Sequence, residues 1–193
     1  MNPTSTAAAV SSAVFAGTSL LSTERKVKIS ITNNSMHTLE QPRIYTYSGH
    51  CHHTPQPTIS KNNKESCSFT KSSLSAWGAA GVLTYRIHTD AQNCIGELAI
   101  MFSVPYNYTI YENCFALGFL NEGDPCDEKL YSQMYYKDGP FMRASGTGSS
   151  IKFSQDNILV TGTMSPQSQS VMIVEFWDIM LNPTQANSDC IIQ

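Results

Sequence analysis

Runs of β-branched and aromatic residues, each closed off by turn formers, constrain this chain more than anything else in it. They read RKVKISIT, PRIYTYS, SCSFTKS, GVLTYRIH, ELAIMFSV, CFALGFL, SSIKFS, NILVTGTM and SVMIVEFWD. Gly49, Pro55, Pro57, Gly96, Gly123, Pro125, Gly146, Gly148 and Pro166 fall between them. Many short strands with turn chemistry between them predict a mostly β fold, a single β-sandwich. In SVMIVEFWD both strand faces are largely apolar, which predicts a central strand covered on both sides. With 193 residues, 41% of them apolar, the chain can bury one good core and is too short for two comfortable ones.

The β pattern starts at Glu24. Before it, residues 1–23 are Ser, Thr and Ala with isolated larger apolar side chains and no charge. At 100° per residue the apolar half of a helix over residues 4–22 collects Val10, Val14, Leu20 and Leu21, with Phe15 the exception among the hydroxyls. The expected organisation is an amphipathic helix over residues 1–23, a sandwich over 24–180 and a C-terminal tail over 181–193. Such a helix would be about 30 Å long, the hydrocarbon thickness of a bilayer, yet marginal by itself in water. It lies on the sandwich or frays. The leader lacks the preceding Lys or Arg of a signal peptide, and secreted and cytosolic locations both stay open.

A formal net charge of −3 and 14% charged residues exclude the basic field that nucleic acid requires. The six cysteines are unevenly spaced, and a core of this size needs no staples, so free thiols are expected. His50, Cys51, His52 and His53 sit between Gly49 and Pro55 at offsets unsuited to a metal, which favours a solvated loop and neither metal nor cofactor. No motif pairs a nucleophile with a base and an orienting acid, so an enzyme is not expected.

Two segments carry tyrosines where a core has little use for them. Residues 103–115 set Tyr106, Tyr108 and Tyr111 with Ile110 and Phe115 among Pro105, Asn107 and Asn113. Residues 126–137 read as a helix, with Leu130 and Met134 on one stripe and Tyr131 and Tyr135 on the next. The rings either lie flat over a core edge or face a ligand.

The segments GVLTY, IMFSVPYNYTIYENCF and LYSQMYY, in this order and at these separations, resemble the actinoporins, pore-forming cytolysins of sea anemones, and most nearly their vertebrate actinoporin-like relatives. The resemblance implies a β-sandwich flanked by two helices that binds phosphocholine head groups, with sphingomyelin favoured. It implies further that the N-terminal helix enters the bilayer and that a soluble monomer self-associates into a homo-oligomeric pore. Carried over by position, the head-group site would comprise Ser48, Ala80, Ser103, Pro105, Tyr111, Tyr131, Tyr135 and Tyr136. The interface loop would comprise Tyr108, Ile110, Cys114 and Phe115, and the pore helix Val10, Val14, Phe15, Leu20 and Leu21.

The chain departs from that pattern at several points. Ile110, Cys114 and Phe115 stand where the toxins carry tryptophans, which predicts weaker or more lipid-selective binding. Ala80 replaces the pocket valine, with Trp77 a new ring nearby. The leader has no acidic residue, and MRASG replaces an Arg-Gly-Asp stretch. A non-lytic module that binds lipid or glycan, as the similarly folded fungal fruit-body lectins bind sugars, is the alternative.

Overall fold

A computed structural model describes residues 24–179 of the chain. Its elements in chain order are β1 (Lys26–Asn34), β2 (Thr38–Ser48), β3 (His50–His53), β4 (Thr58–Ile59), β5 (Lys64–Thr70), β6 (Ala79–His88), β7 (Cys94–Val104), β8 (Cys114–Leu120), α1 (Glu128–Tyr136), β9 (Phe141–Ser145), β10 (Ile151–Gln155), β11 (Ile158–Met164) and β12 (Gln169–Asp178). The strands form two six-stranded sheets, ordered β10-β11-β12-β1-β5-β3 and β4-β2-β6-β7-β8-β9. The expected sandwich is therefore present, with α1 against the second sheet. The leader helix, with Val10, Val14, Phe15, Leu20 and Leu21, lies outside the described residues, as do Cys190 and the tail over 181–193.

β1 and β12, far apart in sequence, run parallel from Lys26 beside Gln169 to Asn34 beside Trp177. β5 closes the other side of β1 in antiparallel register. The main core fills the space between the sheets with Val27, Ile29 and Ile31 of β1, Phe69 of β5, Leu98, Ile100 and Phe102 of β7, and Val174 and Phe176 of β12. A second, smaller core lies between the other sheet and α1, where Val82, Ala99, Met101 and Ala116 meet Leu130, Tyr131 and Met134.

That second core corrects one expectation. The strands covered on both faces are β6, β7 and β8; in β7, Leu98, Ile100, Phe102 and Val104 enter the inter-sheet core while Ala99 and Met101 enter the α1 core. β12 is central in its sheet, but Val171 and Ile173 on its outer face are 46% and 42% exposed. β7 and β12 are both apolar on two faces in sequence, and only the position of the helix separates them.

Three short strands, β3, β4 and β9, went unread because none carries an apolar alternation. The His50–His53 stretch, expected as a solvated loop, is β3, paired with β5 at the sheet edge. Gly49, at φ +80°, makes the reversal from β2 into β3, and a Cβ there would meet the Thr70 carbonyl oxygen at 2.3 Å. Cys51, Cys67, Cys94, Cys114 and Cys126 are free thiols.

Candidate tyrosine-lined site

A row of small side chains crosses the second sheet at one end of the sandwich. Ser48 of β2 stands beside Ala80 of β6, Ala80 beside Ser103 of β7, Ser103 beside Cys114 of β8, and Cys114 beside Ser145 of β9. All lie on the face that α1 covers. Because the row is small, it leaves a trough, and tyrosines line its walls.

The helix that supplies those tyrosines is held at both ends. The Asp127 carboxylate caps the N-terminus, accepting from the Leu130 amide at 3.0 Å. At the other end the Arg143 guanidinium donates to the carbonyls of Met134 at 2.9 Å and Lys137 at 2.7 Å, which suits the negative end of the helix dipole. Leu130 and Met134 pack downward as their spacing predicts. Tyr131 does not face outward as its stripe suggests: it is 3% exposed, packed between the helix and the sheet.

Tyr47 of β2 stacks on Tyr131, centroids 4.6 Å apart and planes 14° from parallel. Tyr131 in turn lies 5.6 Å from Tyr135, and Tyr135 lies 4.6 Å from Tyr136 at 66°. Beyond this ladder Tyr111 stands 57% exposed and Tyr136 67% exposed. The rings enclose one side of a cavity of about 320 Å³ that Ser48, Ala80, Ser103, Pro105, Tyr111, Tyr131, Tyr135 and Tyr136 all line, together with Tyr47 and Trp77. Every residue expected in the head-group site thus borders one space. A cavity of about 340 Å³ at the other end of α1 is lined by Asp124, Asp127 and Lys129 and offers only one ring, Phe119.

The site contains no ionised side chain among its lining residues. Burial, then the neighbouring Tyr135, pushes the Tyr131 phenol well above its usual range, against a lowering contact with Ser103. Burial likewise raises Tyr135, ahead of Cys114 and Tyr136, again opposed by Ser103. Both phenols are therefore neutral at physiological pH and can donate a hydrogen bond. The cavity combines neutral donors on its floor with aromatic faces on its walls, which suits a group with an anionic oxygen at one end and a bulky cation at the other.

The loop from β7 to β8 forms the outer lip. Asn107 turns it, its side chain accepting from the Thr109 amide at 2.9 Å and its carbonyl accepting from the Tyr111 amide at 3.1 Å. Asn113, 1% exposed, ties the loop down by donating to the carbonyls of Ser165 at 2.7 Å and Gln167 at 3.0 Å. Arg25, just before β1, donates to the Pro105 and Tyr106 carbonyls and sits 5.2 Å from the ring centroids of both Tyr106 and Tyr108.

The expected interface loop divides. Ile110 projects, 68% exposed, as expected. Tyr108 is 37% exposed, but its hydroxyl donates to Asn113 at 2.7 Å and its ring carries Arg25, so it braces the lip. Cys114 and Phe115 are corrections, since both already belong to β8. Alternation turns Cys114 toward α1, partly buried, and Phe115 into the inter-sheet core with no exposed surface. The CFALGFL alternation held that information: Phe115, Leu117 and Phe119 share a face. Tyr47, Arg25 and Asn113 were missed. Tyr47 had a signal, lying two residues from Tyr45 on one face of PRIYTYS, whereas the other two depend on long-range carbonyl partners.

A family model described as sea anemone cytotoxic protein matches residues 7–176. DELTA-alicitoxin-Pse1b of Phyllodiscus semoni is 27% identical over 99 residues, a match that covers 51% of this chain and 41% of that protein's length. Bryoporin of Physcomitrium patens is 24% identical over 152 residues, covering 79% of this chain and 83% of bryoporin. Among solved structures, the lipid binding protein Nakanori aligns with a TM-score of 0.63 at 14% identity, over 79% of this chain and 70% of that one. That last likeness is one of fold.

Proposed function

The chain belongs to the sea anemone cytotoxic protein family, and from that premise we propose that it binds phosphocholine head groups in the tyrosine-lined cavity and then breaches the membrane. The observation that carries this reading is the cavity itself: Tyr47, Tyr111, Tyr131, Tyr135 and Tyr136 around a floor that includes Ser48 and Ser103, with no ionised side chain in its lining. A quaternary ammonium cannot donate a hydrogen bond, so ring faces are its natural receptor, while neutral hydroxyls can donate to the phosphate.

Each ring contributes about 0.5–2 kcal/mol to a caged cation. One head group held by a few kcal/mol binds at roughly millimolar strength, too weakly for function in isolation. Insertion of Ile110 and self-association into a ring of subunits raise the effective affinity. In this proposal a soluble monomer docks, sphingomyelin is the preferred lipid, and residues 1–23 enter the bilayer. Among the described residues no helix is long and apolar enough to cross a membrane.

The test is dye release from phosphatidylcholine vesicles with and without sphingomyelin, alongside sedimentation of the protein with the same vesicles. Binding with release, and loss of release but not binding on deletion of residues 1–22, is the expected result. Release that survives the deletion refutes insertion of the leader. The second reading is a non-lytic lipid- or glycan-binding module, favoured by the thinness of the lip now that Cys114 and Phe115 face inward. It predicts binding to vesicles or glycans with no release.

A further inference from the structure

The lip has a neighbour that the family resemblance does not assign. Between β5 and β6, residues 71–78 (KSSLSAWG) hold the most exposed apolar side chain described, Leu74, at 104% of its reference surface, together with Trp77 at 68%. Leu74 is also strained: its φ is +60°, a region that a γ-branched residue seldom enters. A side chain that is strained and fully hydrated contributes nothing visible to the folded monomer. Such a residue points to something the free protein does not contain.

The loop around Leu74 is nevertheless built and held. The Lys71 ammonium donates to the carbonyls of Ser72 and Ser75, and the Ser75 hydroxyl accepts from the Trp77 amide at 3.0 Å. Lys71 also lies 5.7 Å from the Tyr106 ring centroid, joining this loop to the lip. Gly78 presses so closely on the lip that a Cβ there would lie 1.9 Å from the Val104 carbonyl oxygen. The two loops therefore pack against each other as one rim. Trp77 borders the tyrosine cavity itself and, with Tyr47, Ser48 and Ser75, a second recess beside it.

The charge pattern fits one occupant. Residues 71–78 contain no carboxylate, and their one charge, Lys71, is turned back onto backbone carbonyls. Trp is the side chain most at home at a bilayer's polar boundary, with an apolar body and one N–H donor, and Leu fits the layer just below. We infer that residues 71–78 are a second membrane anchor, with Leu74 and Trp77 entering the interfacial zone of a phosphocholine bilayer beside Ile110. The inference rests on the head-group reading above. It also accounts for the missing tryptophans of the lip, because apolar area absent from residues 114 and 115 is supplied by the adjacent loop.

Trp77 and Trp177 are the only tryptophans, so Trp177→Phe leaves Trp77 as the sole indole reporter. That variant would be mixed with phosphatidylcholine–sphingomyelin vesicles whose acyl chains carry bromine near the head group. Anchoring predicts a blue shift and quenching of Trp77 on binding. In the full chain, Leu74→Asn keeps a residue that tolerates positive φ. It should lower the vesicle partition coefficient about tenfold while leaving thermal stability and affinity for soluble phosphocholine unchanged. Vesicle binding with Trp77 unquenched and Leu74→Asn without effect overturns the anchor and leaves head-group recognition standing. Loss of soluble phosphocholine binding in Leu74→Asn also overturns it, since the loop then acts on the cavity. Normal partition with lost self-association makes the loop a subunit contact instead. Failure of the unmodified chain to bind the vesicles overturns both readings.

Discussion

Tyr111 offers the cleanest perturbation of the cavity. It lines the space yet is 57% exposed and stands outside the Tyr47–Tyr131–Tyr135–Tyr136 ladder, so its removal creates no cavity in the fold. Tyr131→Ala would be uninterpretable by comparison, because a buried ring stacked on both sides costs about 3–5 kcal/mol of stability when truncated. Loss of one ring from a choline cage removes about 0.5–2 kcal/mol, which is about a 2- to 30-fold weaker dissociation constant. Tyr111→Phe keeps the ring face and should stay within about twofold of the parent chain. Titration calorimetry or chemical-shift perturbation with soluble phosphocholine reads both variants without the complication of membrane avidity, and a thermal melt checks that neither changes the fold. Equal affinity in Tyr111→Ala and the parent would refute the placement of the cation against this ring. Equal loss in the Ala and Phe variants would show that the hydroxyl, not the ring face, is the working group.

Asn113→Ala removes two donors to the Ser165 and Gln167 carbonyls and the acceptor of the Tyr108 hydroxyl. It should cost about 1–3 kcal/mol in denaturant unfolding and weaken vesicle binding more than it weakens soluble phosphocholine binding. Glu97 has no exposed surface and pairs with Arg43 and, at 3.7 Å, with Arg86, so Glu97→Ala strands their charge and should destabilise the fold by about 3–5 kcal/mol. Head-group affinity of whatever remains folded should not change, because the pair is remote from the cavity lining. Burial pushes the Cys114 thiol from 9.0 up to about 11, opposed by Arg143. Its folded value is the higher one, so the stability it contributes is complete below pH 9.0 and is lost as the pH rises to about 11. Up to about 3 kcal/mol of the alkaline decline in unfolding free energy should therefore disappear in Cys114→Ala. An unchanged pH profile in that variant would contradict the burial of the thiol.

Sequence patterns carried the architecture further than the site. Strands with true alternation, such as β6 and β7, were legible because one or both faces had to be apolar to fill a core. β12 was over-read: Val171 and Ile173 look like core residues by type, and no local signal says that α1 covers the other sheet. The cavity was legible through family resemblance, which supplied its floor and most of its walls. Tyr47 was marked only by its two-residue spacing from Tyr45, and its place in the wall comes from a stack with Tyr131, a partner distant in sequence. Cys114 and Phe115 failed for a different reason. Resemblance aligned them with exposed tryptophans, but their own strand alternation assigns them inward, and here the alternation prevails.

The parallel pairing of β1 with β12 has a mechanical consequence. Residue 24 enters the sandwich at the rim, where Arg25 is riveted to the lip, and β1 then runs between β12 and β5 with hydrogen bonds along both edges. Tension applied from residues 1–23 along the axis of β1 loads those bonds in shear, all at once, instead of peeling them one by one. The sandwich can thus serve as a fixed mount under load, with Arg25 held to the lip at the point where that load would enter.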